Sequence, residues 1–169
     1  PCRCPDMYND IAPYYDRLYA RFKDYEAEAR QLAGVVEARH PRAVSLLDVG
    51  CGTGSHLGYL RSRFEVAGVD ISQGLLAVAR AKFPAIPFHQ GDMKEFELGR
   101  QFDVVTCLFG SIGYARDVAG LGRAVANLAR HVAPGGLLLL EPWLAPDAFK
   151  PGPITHNVVD EPDFRASWM

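Results

Sequence analysis

The residues best suited to chemistry lie in two short segments of the first half of the chain. Asp48, Gly50, Gly52 and Gly54 alternate within the segment LLDVGCGTG, and Asp70 closes the next apolar run. Glycine permits positive φ and lets a ligand lie directly against the main chain. In an open α/β sheet, the crevice beyond the carboxyl end of the first strand binds ligands. The pattern therefore predicts a ligand-binding loop, because a turn of glycines needed only for packing leaves both aspartates unexplained.

The spacing of the glycines distinguishes between ligand classes. The dinucleotide fingerprint G-x-G-x-x-G would need its third glycine at Ser55 or at Leu57. A phosphate-binding P-loop needs a lysine directly after its glycines, and none follows here. The spacing thus disfavours both a nicotinamide dehydrogenase and a P-loop nucleotide-binding protein.

Alternating strands and helices must position these residues. Strands are predicted at 44–49, 65–71, 86–89, 102–108 and 137–141, and helices at 24–39, 55–63, 72–82 and 117–132. Ser72 is the expected N-cap of its helix, and Pro134-Gly135-Gly136 is expected to end the last helix. Because the strands are apolar on both faces, we predict an α/β fold: a Rossmann-like, doubly wound, mainly parallel sheet with helices on both faces.

Composition limits the partners that this fold is expected to have. The chain has 169 residues, enough for one domain with a real core, and a net charge of -2 with scattered basic residues. We therefore expect a small-molecule partner rather than nucleic acid or a membrane. No signal peptide is visible, which indicates the cytoplasm. The pair Cys2-x-Cys4 lacks a second pair or a histidine partner, so free thiols and no metal are expected.

The motif Asp48-x-Gly50-x-Gly52-x-Gly54 resembles the first motif of the S-adenosylmethionine-dependent methyltransferases of the Rossmann-like class, class I. The resemblance implies S-adenosyl-L-methionine as cofactor and S-adenosyl-L-homocysteine as product. Members of that class usually have seven strands, and five are predicted here. We therefore expect the C-terminal strands to be missing and the chain to be a fragment or only the ordered part of a protein.

The resemblance implies cofactor contacts for the first motif and the second strand. Asp48 would anchor the glycine loop or approach the cationic amino group, and the main chain of Gly50, Gly52 and Gly54 would leave room for the methionine tail. Asp70 would accept hydrogen bonds from both ribose hydroxyls. The alternative for Asp70 is a surface acid before the next helix.

Further cofactor contacts are implied at the later strand ends. Ile71 would cover one adenine face, Asp92 would accept a bond from the adenine amine and Met93 would offer backbone contact. Leu108 and the residues up to position 111 would line the sulfonium and its methyl group. The alternative for Asp92 is a turn acid. No local motif supplies a general base, and His89 is read as a packing or loop residue rather than a catalytic one.

A narrower resemblance covers residues 7–150. The segments MYNDIAPYYDRLY, LLDVGCGTGSHL, FHQGDMKEFELGRQFDVVTCLFGSIGY and PGGLLLLEPWLAPDAF are similar to the aminodeoxysugar N,N-dimethyltransferases of macrolide biosynthesis. Those enzymes methylate the amino group of a nucleotide-linked sugar twice. They are usually dimeric, so the resemblance also implies a homodimer. Tyr8 and Tyr114 would be the catalytic candidates near the amine, Tyr15 would contact the cofactor and Trp143 would border the sugar. Each tyrosine is alternatively a rim residue, and Trp143 a core residue.

These resemblances divide the chain into three parts. Residues 1–40 would form a lid and a helix, 41–143 the cofactor-binding core, and 144–169 the beginning of a substrate-covering segment. Two departures from the narrower family are harmless: Asp70 stands where relatives often carry glutamate, and Gly50 where they often carry alanine. Two other functions stay open, namely O- or C-methylation of a different small molecule and a cofactor-binding module without catalysis.

Overall fold

The computed structural model describes residues 4–143 and 157–168. Its helices are α1 (Cys4–Ile11), α2 (Tyr15–Tyr19), α3 (Tyr25–Arg39), α4 (Ser55–Leu60), α5 (Gln73–Lys82) and α6 (Val118–Arg130), with 3-10 turns at Ala12–Tyr14 and Ser111–Ala115. Its strands are β1 (Ser45–Val49), β2 (Glu65–Asp70), β3 (Phe88–Gln90), β4 (Phe102–Cys107), β5 (Val132–Leu140), β6 (Asn157–Glu161) and β7 (Phe164–Trp168). Among these residues, no helix is long and apolar enough to cross a membrane.

Five parallel strands form the central sheet, in the order β3-β2-β1-β4-β5. Chain order reverses between β1 and β4, which are neighbours although β2 and β3 lie between them in sequence. Such a reversal opens a crevice at the carboxyl ends of the strands, where ligands bind in open α/β sheets. The predicted parallel, doubly wound sheet is confirmed.

Consecutive residues of β1 point to opposite faces of the sheet. Leu46 packs with residues of α3, α4 and α5, whereas Leu47 packs with Ala124 and Leu128 of α6. Every residue of β1 is buried. Since both faces of the strand are covered by helices, its run of apolar residues is explained by burial on two sides.

The helix starts follow local capping chemistry. Asp24 accepts a hydrogen bond from the backbone N–H of Ala27 at 2.9 Å, and Ser72 Oγ accepts one from Leu75 N–H at 3.2 Å. These bonds satisfy donors that have no partner inside the helix. The predicted cap at Ser72 is confirmed.

The expected end of the last helix is wrong. Helix α6 ends at Arg130, and Pro134-Gly135-Gly136 lies inside β5, which begins at Val132 rather than at residue 137. The pairing with β4 shifts register between Phe102↔Val132 and Val104↔Leu137. The Pro-Gly-Gly segment is therefore an irregularity within β5, which is the outermost strand of the sheet among the described residues, and proline is tolerated at such a position.

The two ends of the described chain add elements that the pattern did not predict. Helices α1 and α2 precede the predicted helix α3. Strands β6 and β7 form a separate antiparallel hairpin. The expected substrate-covering segment, 144–169, is described only over this hairpin, and the rest of it lies outside the described residues.

Candidate active site

A cavity of about 340 Å³ opens at the carboxyl ends of β1, β2 and β4. Most of the predicted site residues line it: Tyr8, Tyr15, Gly50, Gly52, Asp70, Ile71, Asp92, Met93 and Tyr114. Asp48 and Leu108 line a smaller adjoining pocket of about 40 Å³, which shares Tyr15, Gly50 and Gly52 with the larger one. The structure thus brings residues from distant parts of the chain around one crevice.

The glycine loop is closed on one side and open on the other. A side-chain carbon at Gly50 would lie 2.7 Å from Ser111 Cβ, so the loop after β4 packs tightly there. At Gly52, with φ +55, the nearest atom to such a carbon is Tyr15 Cε1 at 4.0 Å. The space in front of Gly52 can therefore take a ligand against the backbone.

Gly54 lines neither of these cavities. A side-chain carbon there would lie 2.8 Å from the ring of Phe88 on β3. Its position at the start of α4 is therefore explained by close packing. The contact between Gly54 and a methionine tail stays a prediction.

Asp70 links the glycine loop to the start of the next helix. Its Oδ2 accepts a hydrogen bond from Gly52 N–H at 2.8 Å, and its Oδ1 accepts one from Ser72 N–H at 2.8 Å. Burial raises the pKa of this carboxyl, and the backbone donors oppose the shift. With 8% exposure, Asp70 is not the surface acid of the alternative interpretation. Ile71 N–H is a third backbone donor to this carboxylate, which keeps limited acceptor capacity for a ligand in the cavity that it lines.

Asp48 lies beneath the loop and is tied to the neighbouring strand. Thr106 Oγ1 on β4 donates a hydrogen bond to Asp48 Oδ1 at 2.8 Å. Burial raises the pKa of Asp48 to about 6, and the carboxylates of Asp70 and Glu141 add to the shift. An acid of this kind is neutral below about pH 6 and charged above it.

The far side of the cavity carries the second set of predicted contacts. Asp92 Oδ1 accepts a bond from Lys94 N–H at 2.9 Å, and its Oδ2 lies 3.1 Å from Lys94 Nζ. The Met93 carbonyl accepts a bond from Asn127 Nδ2 at 3.1 Å. Ile71 is partly exposed at the rim of the cavity. Asp92 is therefore both a turn residue and a cavity residue, so the two interpretations of it coexist.

Five aromatic rings form what we call the aromatic wall: Tyr8, Tyr15, Tyr19, Phe109 and Tyr114. The centroids of neighbouring rings are 4.6 Å apart for Tyr15 and Tyr19 and 5.4 Å for Tyr19 and Phe109. The hydroxyl groups of Tyr8 and Tyr114 are hydrogen-bonded to each other. Burial raises the pKa of Tyr15 and of Tyr19, which keeps both phenols neutral. Neutral aromatic rings attract cations through their negative faces.

The N-terminal segment is fastened to the core by two polar residues that the sequence pattern did not identify. Asn9 Oδ1 accepts bonds from Ser72 Oγ at 2.8 Å and from Gly74 N–H at 2.9 Å. Asp16 accepts one from Thr53 Oγ1 at 2.5 Å and pairs with Lys82 Nζ at 2.6 Å. The only sequence signal is the density of tyrosine, asparagine and aspartate in YNDIAPYYDRLY. These bonds hold three tyrosines of the aromatic wall over the cavity.

The hairpin β6–β7 contacts the same segment from outside. Arg17 on α2 donates to both carboxylate oxygens of Asp163, at 3.1 and 2.9 Å, and to Glu161 Oε2 at 2.6 Å. Tyr14 stacks on Phe164 with ring centroids 5.3 Å apart. The hairpin therefore supports the helix that covers the cavity.

The sequence left two interpretations open for Trp143 and for His89. Trp143 lines the cavity and is 72% exposed, so the interpretation of it as a core residue is wrong. Its ring contacts Gly110, where any side-chain carbon would overlap it. His89 on β3 is exposed and lines neither pocket.

Comparison with known proteins identifies relatives of this site and fold. The chain is 45% identical over 152 residues to dTDP-3-amino-3,4,6-trideoxy-alpha-D-glucopyranose N,N-dimethyltransferase of Streptomyces venezuelae, covering 89% of the chain and 64% of that protein. It is 45% identical over 151 residues to dTDP-4-amino-2,3,4,6-tetradeoxy-D-glucose N,N-dimethyltransferase of Saccharopolyspora spinosa, covering 88% and 61%. The chain thus spans less than two thirds of the length of these relatives.

A solved structure shows the same fold. SAM-bound CalS10, an amino pentose methyltransferase from Micromonospora echinaspora, superimposes with a TM-score of 0.81 at 42% identity, covering 88% of this chain and 63% of that one. The fold is that of the class I methyltransferases, as predicted. The family described as "Methyltransferase domain" matches residues 46–136, which run from β1 into β5. The chain belongs to that family.

Proposed function

We propose that this protein is an S-adenosylmethionine-dependent methyltransferase that N-methylates the amino group of a nucleotide-linked amino sugar. One observation carries the proposal: two N,N-dimethyltransferases of dTDP-linked amino sugars are each 45% identical to the chain over nearly nine tenths of its length. The glycine motif alone is shared by methyltransferases for many acceptors. The similarity extends well beyond it, over 89% and 88% of the chain.

The cavity fits the proposed cofactor at several points. The open space before Gly52 suits a methionine tail, and the carboxylate of Asp70, which lines the cavity, would accept hydrogen bonds from the ribose hydroxyls. Ile71, Asp92 and Met93 would border the adenine. Asp48 and Leu108, in the adjoining pocket, would lie nearer the methionine end. When bound, S-adenosylmethionine supplies a methyl group that its sulfonium has already activated.

The protein's task is then mainly to orient the acceptor. Proximity and alignment can supply most of the rate of a displacement from an activated centre. The acceptor amine must be neutral before it attacks, so a group that accepts its hydrogen bond aids the reaction. We assign this role to Tyr8 and Tyr114, which line the cavity and whose hydroxyl groups are hydrogen-bonded to each other. Tyr15, held neutral by burial, would contact the cofactor from the same wall.

We further propose that residues 1–40 act as a lid with its helix, 41–143 as the cofactor-binding core and 144–169 as the start of the substrate cover. The acceptor would be a small molecule rather than nucleic acid or a membrane surface. The protein would work in the cytoplasm as a homodimer, and sedimentation velocity tests the dimer directly. The bonds of Asn9, Asp16 and Arg17 support the lid assignment.

Calorimetry tests the cofactor first. We expect S-adenosylhomocysteine to bind with micromolar affinity and NADH, the control, not to bind. A panel of dTDP-linked 3-amino and 4-amino sugars, with hydroxyl and carboxylate acceptors for comparison, then tests the acceptor by mass spectrometry. Mono- and dimethylated amino sugar is the expected product. Methylation of a hydroxyl, carboxylate or carbon instead would overturn the acceptor, and binding without any turnover would favour a non-catalytic module.

A further inference from the structure

We propose that Glu141 is a positioning residue of the cofactor site and acts through Phe109. The inference rests on the proposed function, because it concerns how the cavity is shaped for the cofactor. Glu141 lines neither cavity, whereas Phe109 lines both. Apart from the action of its charge, an effect of Glu141 on binding would therefore pass through a neighbour.

The backbone of Phe109 has an unusual conformation. Its φ is +51, in the left-handed region that bulky residues rarely adopt. This conformation is unfavourable for an L-residue with a side chain, and it persists only where the surrounding structure enforces it. Phe109 lies two residues after the end of β4, at the carboxyl ends of the strands, and lines both cavities, so the enforced conformation lies at the site itself.

Hydrogen bonds with Glu141 hold the backbone of Phe109 and its neighbours in this conformation. Its Oε2 accepts a hydrogen bond from Phe109 N–H at 2.8 Å. Its backbone N–H donates to the Cys107 carbonyl at 3.0 Å, and its carbonyl accepts a bond from Gly110 N–H at 3.0 Å. The residue on each side of Leu108–Phe109 is thus bonded to the Glu141 backbone, while the side chain holds Phe109 between them. The three bonds together define the turn that leaves β4.

The turn determines where the Phe109 ring stands. The ring meets Tyr19 edge-on with centroids 5.4 Å apart, and the Lys23 ammonium lies 4.1 Å from its centroid. The ring therefore joins the strand ends to the segment that covers the cavity. Loss of the carboxylate would let Phe109 relax to negative φ and would swing its ring out of the aromatic wall.

Substitutions at Glu141 test the role. We expect Glu141→Ala to weaken S-adenosylhomocysteine binding about tenfold, or about 1.4 kcal/mol. Glu141→Gln keeps an acceptor oxygen for Phe109 N–H and should stay within about threefold of the wild type. The matched control is Glu97→Ala, since Glu97 also bonds a backbone N–H, that of Gly99 at 3.4 Å, but lines neither cavity. In steady-state kinetics, Glu141→Ala should raise KM for the cofactor more than it lowers kcat.

A double-mutant cycle distinguishes positioning from a general structural effect. If Glu141 acts through Phe109, Glu141→Ala adds no further loss of affinity to Phe109→Ala. Hydrogen exchange of the Phe109 amide, measured without ligand, should speed up in Glu141→Ala and not in Glu141→Gln.

Unchanged affinity in Glu141→Ala, or losses that add fully in the cycle, would overturn the inference while the proposed function stands. A wild type that binds no S-adenosylhomocysteine would overturn the proposed function and the role of Glu141 toward the cofactor with it. In that case, hydrogen exchange of the Phe109 amide still reports whether Glu141 holds the Phe109 backbone in place.

Discussion

The Asp70 carboxylate at the end of β2 accepts a hydrogen bond from the backbone of Gly52, in the loop that follows β1, at 2.8 Å. The acid proposed to bind the ribose therefore also shapes the loop proposed to hold the methionine tail. One side chain couples the two halves of the cofactor site. Its removal should affect both halves together.

Substitution of Asp70 tests this coupling. Asp70→Ala should lower S-adenosylhomocysteine affinity at least about tenfold, because each lost hydrogen bond contributes about 0.5–1.5 kcal/mol and the loop loses its tether. The measurement is isothermal titration calorimetry. Asp103→Ala is the matched control: Asp103 also accepts bonds from two backbone N–H groups, of Val44 and Ser45, but at the start of β4, the opposite edge of the sheet. It should lose stability and keep its affinity; unchanged affinity in Asp70→Ala would refute the ribose assignment.

Substitutions at two glycines distinguish the conformational cost of adding a side chain from a steric clash with the ligand. Gly52 and Gly99 have φ of +55 and +65, and a side-chain carbon at either would meet no atom closer than 4.0 Å. Gly52→Ala and Gly99→Ala should therefore each cost about 1 kcal/mol of unfolding free energy. Only Gly52→Ala should also weaken S-adenosylhomocysteine binding, by at least about tenfold, because its methyl group takes the cofactor's space. Equal affinities in the two variants would show that no ligand approaches Gly52.

The buried acid Asp48 should make stability depend on pH. Its pKa in the folded protein, about 6, lies above the value of an unfolded aspartate, about 3.9. The folded state therefore binds the proton more tightly, so this group favours folding below pH 4 and loses that contribution as pH rises through 6.

Asp48→Asn keeps an acceptor for Thr106 and removes the charge. It should raise the unfolding free energy by about 1–3 kcal/mol at pH 8, with the gain shrinking toward pH 4. Urea denaturation across this range measures it. A gain that does not change with pH would mean that Asp48 does not titrate there.

Arg17 should control how firmly the cavity is covered. Arg17→Ala removes its contacts with Asp163 and Glu161, and also a cation–π contact with Phe164 at 4.6 Å. Because Arg17 is 40% exposed, we expect its ion pairs to contribute little to the free energy of unfolding. Amide exchange in α2 should nevertheless accelerate, and S-adenosylhomocysteine should dissociate several-fold faster. Arg30→Ala, which breaks a surface pair with Glu26 in α3, should change neither rate.

The tyrosine pair should matter for turnover and not for cofactor binding. Tyr8→Phe and Tyr114→Phe should each reduce methylation of the amino sugar about tenfold or more, since each removes a hydroxyl that orients the amine. S-adenosylhomocysteine affinity should be retained in both. Tyr59→Phe, at an exposed position on α4 outside both pockets, is the control. Full turnover in Tyr114→Phe would exclude a catalytic role for its hydroxyl.

Local patterns were sufficient for most of the core. The apolar run before Asp48 predicted β1 because both its faces are buried, and Ser72 predicted a helix start because its oxygen satisfies a nearby N–H. The predicted start of β5 at residue 137 was wrong because a Pro-Gly-Gly segment usually ends an element. In the structure, the pairing of β5 with β4 continues past Pro134-Gly135-Gly136 after a shift in register. Long-range pairing outweighed the local signal.

The supports of the site could not be predicted from local patterns. Asn9 bonds to Ser72, Asp16 to Lys82 and Glu141 to Phe109, and each partner lies more than 30 positions away along the chain. No short spacing encodes such contacts. A motif in the sequence points to residues proposed to meet the ligand, but the residues that hold them in place become visible only in three dimensions.

The pairing of Arg17 with Asp163 also bears on the order of events during synthesis. The two residues are 146 positions apart, so the cover of the cavity depends on a contact of very high sequence separation. Such contacts form late, because the chain between them must first be brought together at an entropic cost. On the ribosome, the sheet and its glycine loop can begin to assemble before the hairpin has left the exit tunnel. Cofactor affinity should therefore mature in two stages, first a loose open site and then a closed one once β7 has emerged.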